Sequence, residues 1–186
     1  MENVSQSTIK GTGVVAGVAY AEAVWVRPRP ELPTAGELID EEKRDGEYDR
    51  FLEAVDVVAS RLEQRAAGAE GQAAEVLGAT AGMVKDRGWH KAVRKSIRSG
   101  RPAEYATASA TEKFVTMFEA AGGVMAERTT DLKDVRDRVI AQLRGEQEPG
   151  LPMVSGEAVL LADDLAPADT ATLDTAHIKA CLLYTS

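Results

Sequence analysis

The side chains that most often carry catalysis or metal binding are scarce in this chain. Its 186 residues include one cysteine, Cys181, and two histidines, His90 and His177, far apart in sequence. A single cysteine cannot form an internal disulfide, and these residues lack the spacing of a zinc site. No G-x-S-x-G turn supports a hydrolase. We therefore expect a reducing compartment, no metal site and no hydrolytic nucleophile.

A glycine-containing segment near the start fits a nucleotide-binding pattern. Residues 11–16, Gly-Thr-Gly-Val-Val-Ala, formally match G-x-G-x-x-G/A. That motif needs a strand before it and a helix N-terminus after it to hold a pyrophosphate. Here β-branched residues follow and lead into a proline-rich stretch. We therefore interpret the segment as a tight turn at a strand.

A charged motif begins at residue 127 and reads Glu-Arg-Thr-Thr-Asp-Leu-Lys-Asp-Val-Arg-Asp-Arg. Asp131 and Asp134 could cap a helix and complement its dipole. Arg138 follows Asp134 by four residues, the spacing of a surface ion pair worth about 0.3–0.5 kcal/mol. Taken alone, this pattern predicts a helix with a solvated, charged face.

Two proline-rich boundaries divide the chain into strand-like and helix-like parts. Residues 11–26 are small and β-branched, which indicates one or two strands. Residues 27–33, Arg-Pro-Arg-Pro-Glu-Leu-Pro, end that pattern because proline lacks a backbone donor. After a second pair of prolines, residues 157–162 again indicate a buried strand, and Pro167 is expected to begin a short helix.

The apolar spacing between these boundaries is helical. Thr34 and Glu37 form a capping box, from which we predict one long helix ending near Ala66. Such a long helix needs an antiparallel neighbour, so a helical hairpin should follow. Gly145 is expected to cap the last helix. The other predicted helices cover residues 73–88, 89–99, 103–128 and 131–144.

Composition and charge narrow the possible function classes. Hydrophobic residues make up 44% and charged residues 28%, as in soluble globular chains, and a 5% aromatic content favours helix packing over a β-sandwich. A net charge of -8 disfavours a nucleic-acid partner. The sequence shows no signal peptide, and no stretch approaches about 18 apolar residues. We expect a cytoplasmic protein with no membrane segment.

Four segments, in this order, resemble enzyme I of the bacterial phosphoenolpyruvate:sugar phosphotransferase system, the phosphoenolpyruvate-protein phosphotransferase family. The two most specific are residues 127–138, Glu-Arg-x-x-Asp-x-x-Asp with Arg138, and residues 157–173, which begin Glu-Ala-Val-Leu-Leu-Ala-Asp-Asp-Leu-Ala-Pro-Ala-Asp-Thr-Ala. The other two are residues 17–23 and 79–86. Together they make the resemblance cover about residues 8–178.

The resemblance implies an α+β, multi-domain fold: an antiparallel helical domain inserted into an incomplete α/β swivelling phosphohistidine domain. Residues 1–29 and 149–178 would form the two parts of the α/β domain, and residues 30–148 would form the helical domain. Residues 179–186 do not match the family, and we interpret them as a non-native tail. Without further strands, residues 157–162 would have an unpaired edge.

The family's activity is also implied by the resemblance. Its members move a phosphoryl group from phosphoenolpyruvate to an enzyme histidine and then to the histidine phosphocarrier protein, for sugar uptake. The active histidine lies in a Gly-Gly-x-Thr-Ser-His-Thr motif, which is absent here. Phosphoenolpyruvate and magnesium bind a further C-terminal domain, through which the intact enzyme is expected to form a homodimer. We therefore expect an inactive fragment without a catalytic residue or cofactor of its own, in which His177 does not replace the missing histidine.

The resemblance further implies where the carrier binds. Met83 and Val84 match apolar contact positions, and Asp86 is a nearby acid that could meet a basic carrier. Arg128 matches the arginine that lies close to the transferred phosphoryl group. The apolar spacing equally allows Met83 and Val84 to face the core of the hairpin. The alternative function is a stand-alone helical adaptor for protein–protein interaction, without phosphotransfer activity.

Overall fold

A computed structural model describes residues 10–152 and 154–184. Its strands are β1 (Glu22–Trp25), β2 (Ala158–Ala162) and β3 (Ile178–Leu183). A 3₁₀ turn at Glu41–Lys43 precedes the first helix. None of the helices in this part of the chain combines the length and apolar composition needed to cross a membrane. The helices are α1 (Arg44–Ala67), α2 (Gly71–Val84), α3 (Arg87–Arg98), α4 (Ala103–Ala121), α5 (Gly123–Glu127), α6 (Thr129–Arg144) and α7 (Pro167–Ala171).

Five of the helices, α1 to α4 and α6, form a bundle around one apolar core. On α1, buried apolar residues recur every three or four positions, which places them on one face. The indole of Trp89 donates a hydrogen bond to Oγ1 of Thr111 at 3.0 Å, and that hydroxyl donates to the carbonyl of Thr107 at 2.9 Å. These bonds satisfy buried polar atoms, so the core is closed without an orphaned indole.

The predicted capping box at Thr34 is wrong, because α1 begins ten residues later, at Arg44. The chain before it crosses the end of the bundle in irregular conformation. The N–H of Ile39 donates to the carbonyl of Gly100 at 2.8 Å, and the guanidinium of Arg101 donates to the carbonyl of Ala35 at 2.7 Å. These bonds to the α3–α4 loop hold the segment in place of helical hydrogen bonds.

Glycines mark the ends of α4 and α6. Gly145 caps α6 in the left-handed conformation, with φ of 68°, as predicted. The predicted helix over residues 103–128 is instead two helices, α4 and α5. Gly122 separates them, and both Gly122 and Gly123, the first residue of α5, have positive φ. Pro167 begins α7, which confirms that prediction.

The three strands form one parallel sheet in the order β1-β2-β3. Glu22 lies opposite Ala158, and Trp25 lies opposite Leu161. Parallel neighbours need a crossover connection, and between β1 and β2 the whole helical bundle is that connection. The prediction that the start of the chain lies beside residues 157–162 is confirmed, although β1 is only four residues long.

The predicted unpaired edge of residues 157–162 is wrong, because β2 is the central strand of the sheet. On its second side Ala158 lies opposite Ile178, and Ala162 lies opposite Leu183. Residues 179–183, which the sequence assigned to a non-native tail, therefore take part in the sheet. A register shift between Ala158 and Val159 accommodates their pairing.

The two segments that enter and leave the bundle meet at an antiparallel bridge. Arg27 N–H donates to the carbonyl of Gly150 at 2.9 Å, and Gly150 N–H donates back at 3.3 Å. Gly150 has φ of 106°, and a Cβ built there would overlap the carboxylate of Asp169. The close approach of this segment to α7 therefore requires glycine.

We predict that Gly150→Ala lowers the free energy of unfolding by about 1–3 kcal/mol, because alanine is strained at this φ and its methyl group would displace Asp169. Gly156→Ala is the matched control, since open space surrounds Gly156. Urea unfolding followed by circular dichroism measures both variants. Equal stability of the two would contradict the requirement for glycine at position 150.

Candidate functional site

The side chain of Arg138 on α6 is buried where the bundle meets the sheet, with 1% of it exposed. Its Nε donates to Oδ2 of Asp134 at 2.7 Å, one turn earlier on the same helix. Its Nη2 donates to Oδ1 of Asp169 on α7 at 2.9 Å, and its Nη1 donates to Glu148. One guanidinium thus joins the bundle, the segment that leaves it and the helix after β2. The predicted surface pair of Asp134 and Arg138 is in fact buried, and Arg138 is bonded there to Asp169 of α7 and to Glu148.

Glu148 extends this network to α1. Both terminal nitrogens of Arg65 donate to its carboxylate at 3.0 Å, and Arg61 lies 3.9 Å away. Although burial alone would raise it, Arg138 and Arg65 hold the pKa of Glu148 below its ordinary value. Burial alone would lower the pKa of Arg138, yet the surrounding carboxylates raise it. Arg138 therefore stays charged wherever the protein is folded.

Burial is the largest single influence on the pKa of Asp169, the acid on α7. Together with the nearby Asp134 carboxylate, burial raises the pKa of Asp169 above its ordinary value, although Arg138 lowers it. The ionised form of Asp169 is therefore unfavourable in this site unless a cation is bonded to it. Arg138 is the cation whose hydrogen bond offsets that cost.

A second charged contact links α6 to the end of β2. Asp137 Oδ1 accepts from Nε of Arg136 at 2.7 Å, while Asp137 Oδ2 is buried without a hydrogen bond and lies 3.9 Å from Nε of Arg29. Burial raises the pKa of Asp137, against the influence of Arg136. Arg29 also lies 3.4 Å from Asp164, just after β2. These residues therefore reinforce the junction.

A cleft of about 590 Å³ opens at the carboxyl ends of β1 and β2, beside these charges. Ligands often bind at this edge of parallel sheets. Here, however, the buried acids that line it, Asp134 and Asp169, are already bonded to Arg138. In the part of the chain that the structure describes, no group of His, Cys, Asp and Glu side chains is placed to hold a metal ion. The arrangement is that of a structural joint.

The residues expected to bind a partner lie in three different environments. Val84 is 0% exposed in the core, so its side chain cannot reach a partner, and that assignment is corrected. The last turn of α2 directs Val84 inward, while Met83 beside it is half-buried against the core. Asp86 is exposed, and its Oδ1 accepts from the N–H of Trp89 at 2.7 Å. Asp86 is therefore also the N-cap of α3.

Arg128 lies elsewhere, between α5 and α6, with about half of its side chain exposed. It faces Asp131 at 3.6 Å, and among the described residues no hydrogen bond or ion pair joins it to Asp86. Sequence reasoning missed its apolar neighbours, Val124 and Met125, which α5 leaves exposed. The glycine pair that ends α4 was the signal, because it allows α5 to turn independently of α4.

Neither histidine has an exposed ring that is free of contacts with the protein. His90 is half-buried, with Nε2 2.8 Å from the carbonyl oxygen of Val84 and its ring against Phe51. His177 is partly exposed, and its Nδ1 lies 2.7 Å from Oδ2 of Asp174. These contacts explain both histidines as structural residues.

We predict that Arg138→Ala lowers the free energy of unfolding at neutral pH by about 3–5 kcal/mol, because Asp134, Glu148 and Asp169 would stay buried without their cation. Lys43→Ala is the control, since it breaks an ion pair with Asp40 that is exposed to solvent and screened by it. Urea unfolding gives both values. If the two variants lose similar amounts of unfolding free energy, the buried Arg138 contributes no more to stability than an exposed ion pair does.

The ion pairs of Glu148 also determine how acid pH changes the stability of the fold. The lowered pKa of Glu148 stabilises the fold above the ordinary glutamate pKa, and that stabilisation disappears as the pH falls through the lowered value. The stability difference between the wild type and Glu148→Gln should therefore shrink toward acid pH. A difference that grows as the pH falls would contradict this assignment.

Comparison with known proteins places these features in a family. The family described as "PEP-utilising enzyme, N-terminal" matches residues 10–128. Phosphoenolpyruvate-protein phosphotransferases from Streptomyces coelicolor and Bacillus subtilis are 38% and 33% identical over 91% and 92% of this chain. The chain spans 30% of the length of each.

Solved structures agree with this match. A solution structure of Enzyme I superposes with a TM-score of 0.73 at 26% identity, covering 87% of this chain and 67% of that one. The structure "N-terminal domain of Enzyme 1 - Nitrogen", at 21% identity, shares the fold with a TM-score of 0.60 and covers 88% of this chain and 68% of its own. The family expected from the sequence motifs is thus confirmed, and this chain belongs to the N-terminal family of the PEP-utilising enzymes.

Proposed function

We propose that this chain is the part of a phosphoenolpyruvate-protein phosphotransferase that binds the histidine phosphocarrier protein. The observation that carries the proposal is the match of nearly the whole chain to the N-terminal third of enzymes with that name. In this proposal the bundle holds the carrier while a histidine elsewhere in a longer enzyme passes it a phosphoryl group. Residues 30–148 would be the carrier-binding domain, and residues 1–29 and 149–178 would belong to the phosphohistidine domain.

The surface proposed for the carrier is revised by the burial of Val84. It consists of Met83 and Asp86 at the α2–α3 turn and of Arg128 with the exposed α5 residues Val124 and Met125. Apolar side chains supply area to be desolvated at an interface. A guanidinium can bond a phosphoryl group through two parallel N–H groups, which lysine cannot do. Arg128 has the exposure that this role requires.

Other properties of the proposed enzyme lie outside these residues. Phosphoenolpyruvate and magnesium would bind a further domain, which would also form the homodimer, and the enzyme would act in the cytoplasm. The alternative, a stand-alone helical adaptor, needs no phosphotransferase relatives, and the relatives of this chain do not favour it. The two functions differ in their partner, because an adaptor has no reason to bind a phosphocarrier.

We predict that Met83→Asp and Arg128→Ala each weaken binding of a histidine phosphocarrier protein about ten-fold, the effect of a moderate interface residue. The first variant would bury a charge at the apolar contact, and the second would remove the guanidinium. Isothermal titration calorimetry measures the affinity, and circular dichroism checks helicity. Val14→Asp and Arg98→Ala are matched controls, since both residues are exposed and lie outside the proposed surface.

Binding of both variants at the wild-type affinity would refute this surface. A carrier that does not bind the wild-type chain would instead refute the proposed function.

We also predict that the 186-residue chain stays unphosphorylated when it is incubated with phosphoenolpyruvate and magnesium. It has no Thr-Ser-His-Thr motif, and one ring nitrogen of each of its two histidines contacts a protein acceptor. Intact-mass spectrometry at neutral pH preserves acid-labile phosphohistidine, and a full-length phosphoenolpyruvate-protein phosphotransferase serves as the positive control. A phosphate adduct on His90 or His177 would overturn the prediction.

A further inference from the structure

A groove of about 640 Å³ lies on the side of the bundle between α4 and the segment that precedes α1. Leu32 and Pro33 form one wall, and one face of α4 forms the other, including Tyr105, Ala108 and Ser109. We call this cavity the α4 groove. Its volume lies in the range of small-ligand sites. It shares no lining residue with the proposed carrier surface.

Arg136 of α6 also lines the α4 groove, although only 9% of its side chain is exposed. Its Nε donates to Asp137 at 2.7 Å, and among the described residues Arg136 makes no other hydrogen bond. A nearly buried guanidinium that lines the groove therefore has terminal Nη donors without a hydrogen-bond partner among the described residues.

Such an arrangement is costly unless the donors are bonded, because burial removes most of the water around the charge. The other lining residues suit an anion with an apolar part. Lys113 adds a second cation, which forms no ion pair among the described residues, and Glu112 is the only acid of the lining. Leu32 and Ala108 supply apolar surface on the two walls.

We propose that the α4 groove binds a small organic anion. The Nη donors of Arg136 bond its carboxylate or phosphate group, since a guanidinium matches the geometry of either oxyanion. A short aliphatic part lies against Leu32 and Ala108, where its burial adds affinity. This site is separate from carrier binding and does not depend on the proposed function.

The test uses the full 186-residue chain and three probes: acetate, butyrate and inorganic phosphate. We expect saturable chemical-shift changes at the backbone amides of Ser109, Lys113 and Arg136. Butyrate should bind about five-fold more tightly than acetate because of its two extra methylene groups. The comparison of phosphate with acetate identifies the preferred headgroup. The absence of saturable shifts with all three probes would overturn the proposal.

Two variants separate the site from non-specific anion effects. Arg136→Gln should weaken butyrate binding about ten-fold, the effect of losing a charge-assisted hydrogen bond, whereas Lys95→Gln on α3 should leave it unchanged. Ala108→Leu fills the groove while leaving Arg136 intact, so it tests the site even if Arg136→Gln destabilises α6. It should abolish the shifts. Unchanged binding by either Arg136→Gln or Ala108→Leu would refute the site.

Discussion

The burial of one positive charge governs how the two parts of this protein fit together. Arg138 lies deep between the helical bundle and the sheet, and a guanidinium in that position is tolerated only when carboxylates surround it. Asp134 comes from its own helix, but Glu148 and Asp169 come from segments that follow the bundle. The chain must therefore bring Glu148 and Asp169 back to Arg138 for the charge to be compensated.

Several other features follow from that constraint. Gly150 brings the returning segment so close to α7 that no Cβ fits, and its bridge to Arg27 joins the two crossings of the chain. β2 continues from this point as the middle strand of the sheet. The bundle is thus held to the sheet at two adjacent crossings and through a buried ionic network. A partner bound on the bundle would consequently have a defined position relative to the sheet.

The elements set by local chemistry were predictable from sequence. Gly145 ends α6 and Pro167 begins α7, because each residue has a backbone preference that acts without distant contacts. Features that depend on packing were not predictable. Thr34 and Glu37 have the spacing of a capping box, yet the segment bonds the α3–α4 loop instead.

The same distinction applies to the candidate site. The spacing of Asp134 and Arg138 suits an exposed pair, and its burial beside Asp169 depends on packing that local spacing does not reveal. Periodicity left Val84 equally free to face a partner or the core, and packing against the other helices settles its burial. The motif containing Arg128 was recognisable because it is contiguous in sequence. The exposure of Val124 and Met125 depends on how α5 turns, which apolar spacing does not reveal.

We infer that Arg138 makes the bundle and the sheet one cooperative unit. Urea unfolding followed by NMR tests it most directly, with the Trp89 indole reporting on the bundle and the Leu160 amide reporting on β2. In the wild type both folded signals should disappear at the same urea concentration, and in Arg138→Ala the Leu160 signal should disappear first. Different midpoints in the wild type would contradict the account.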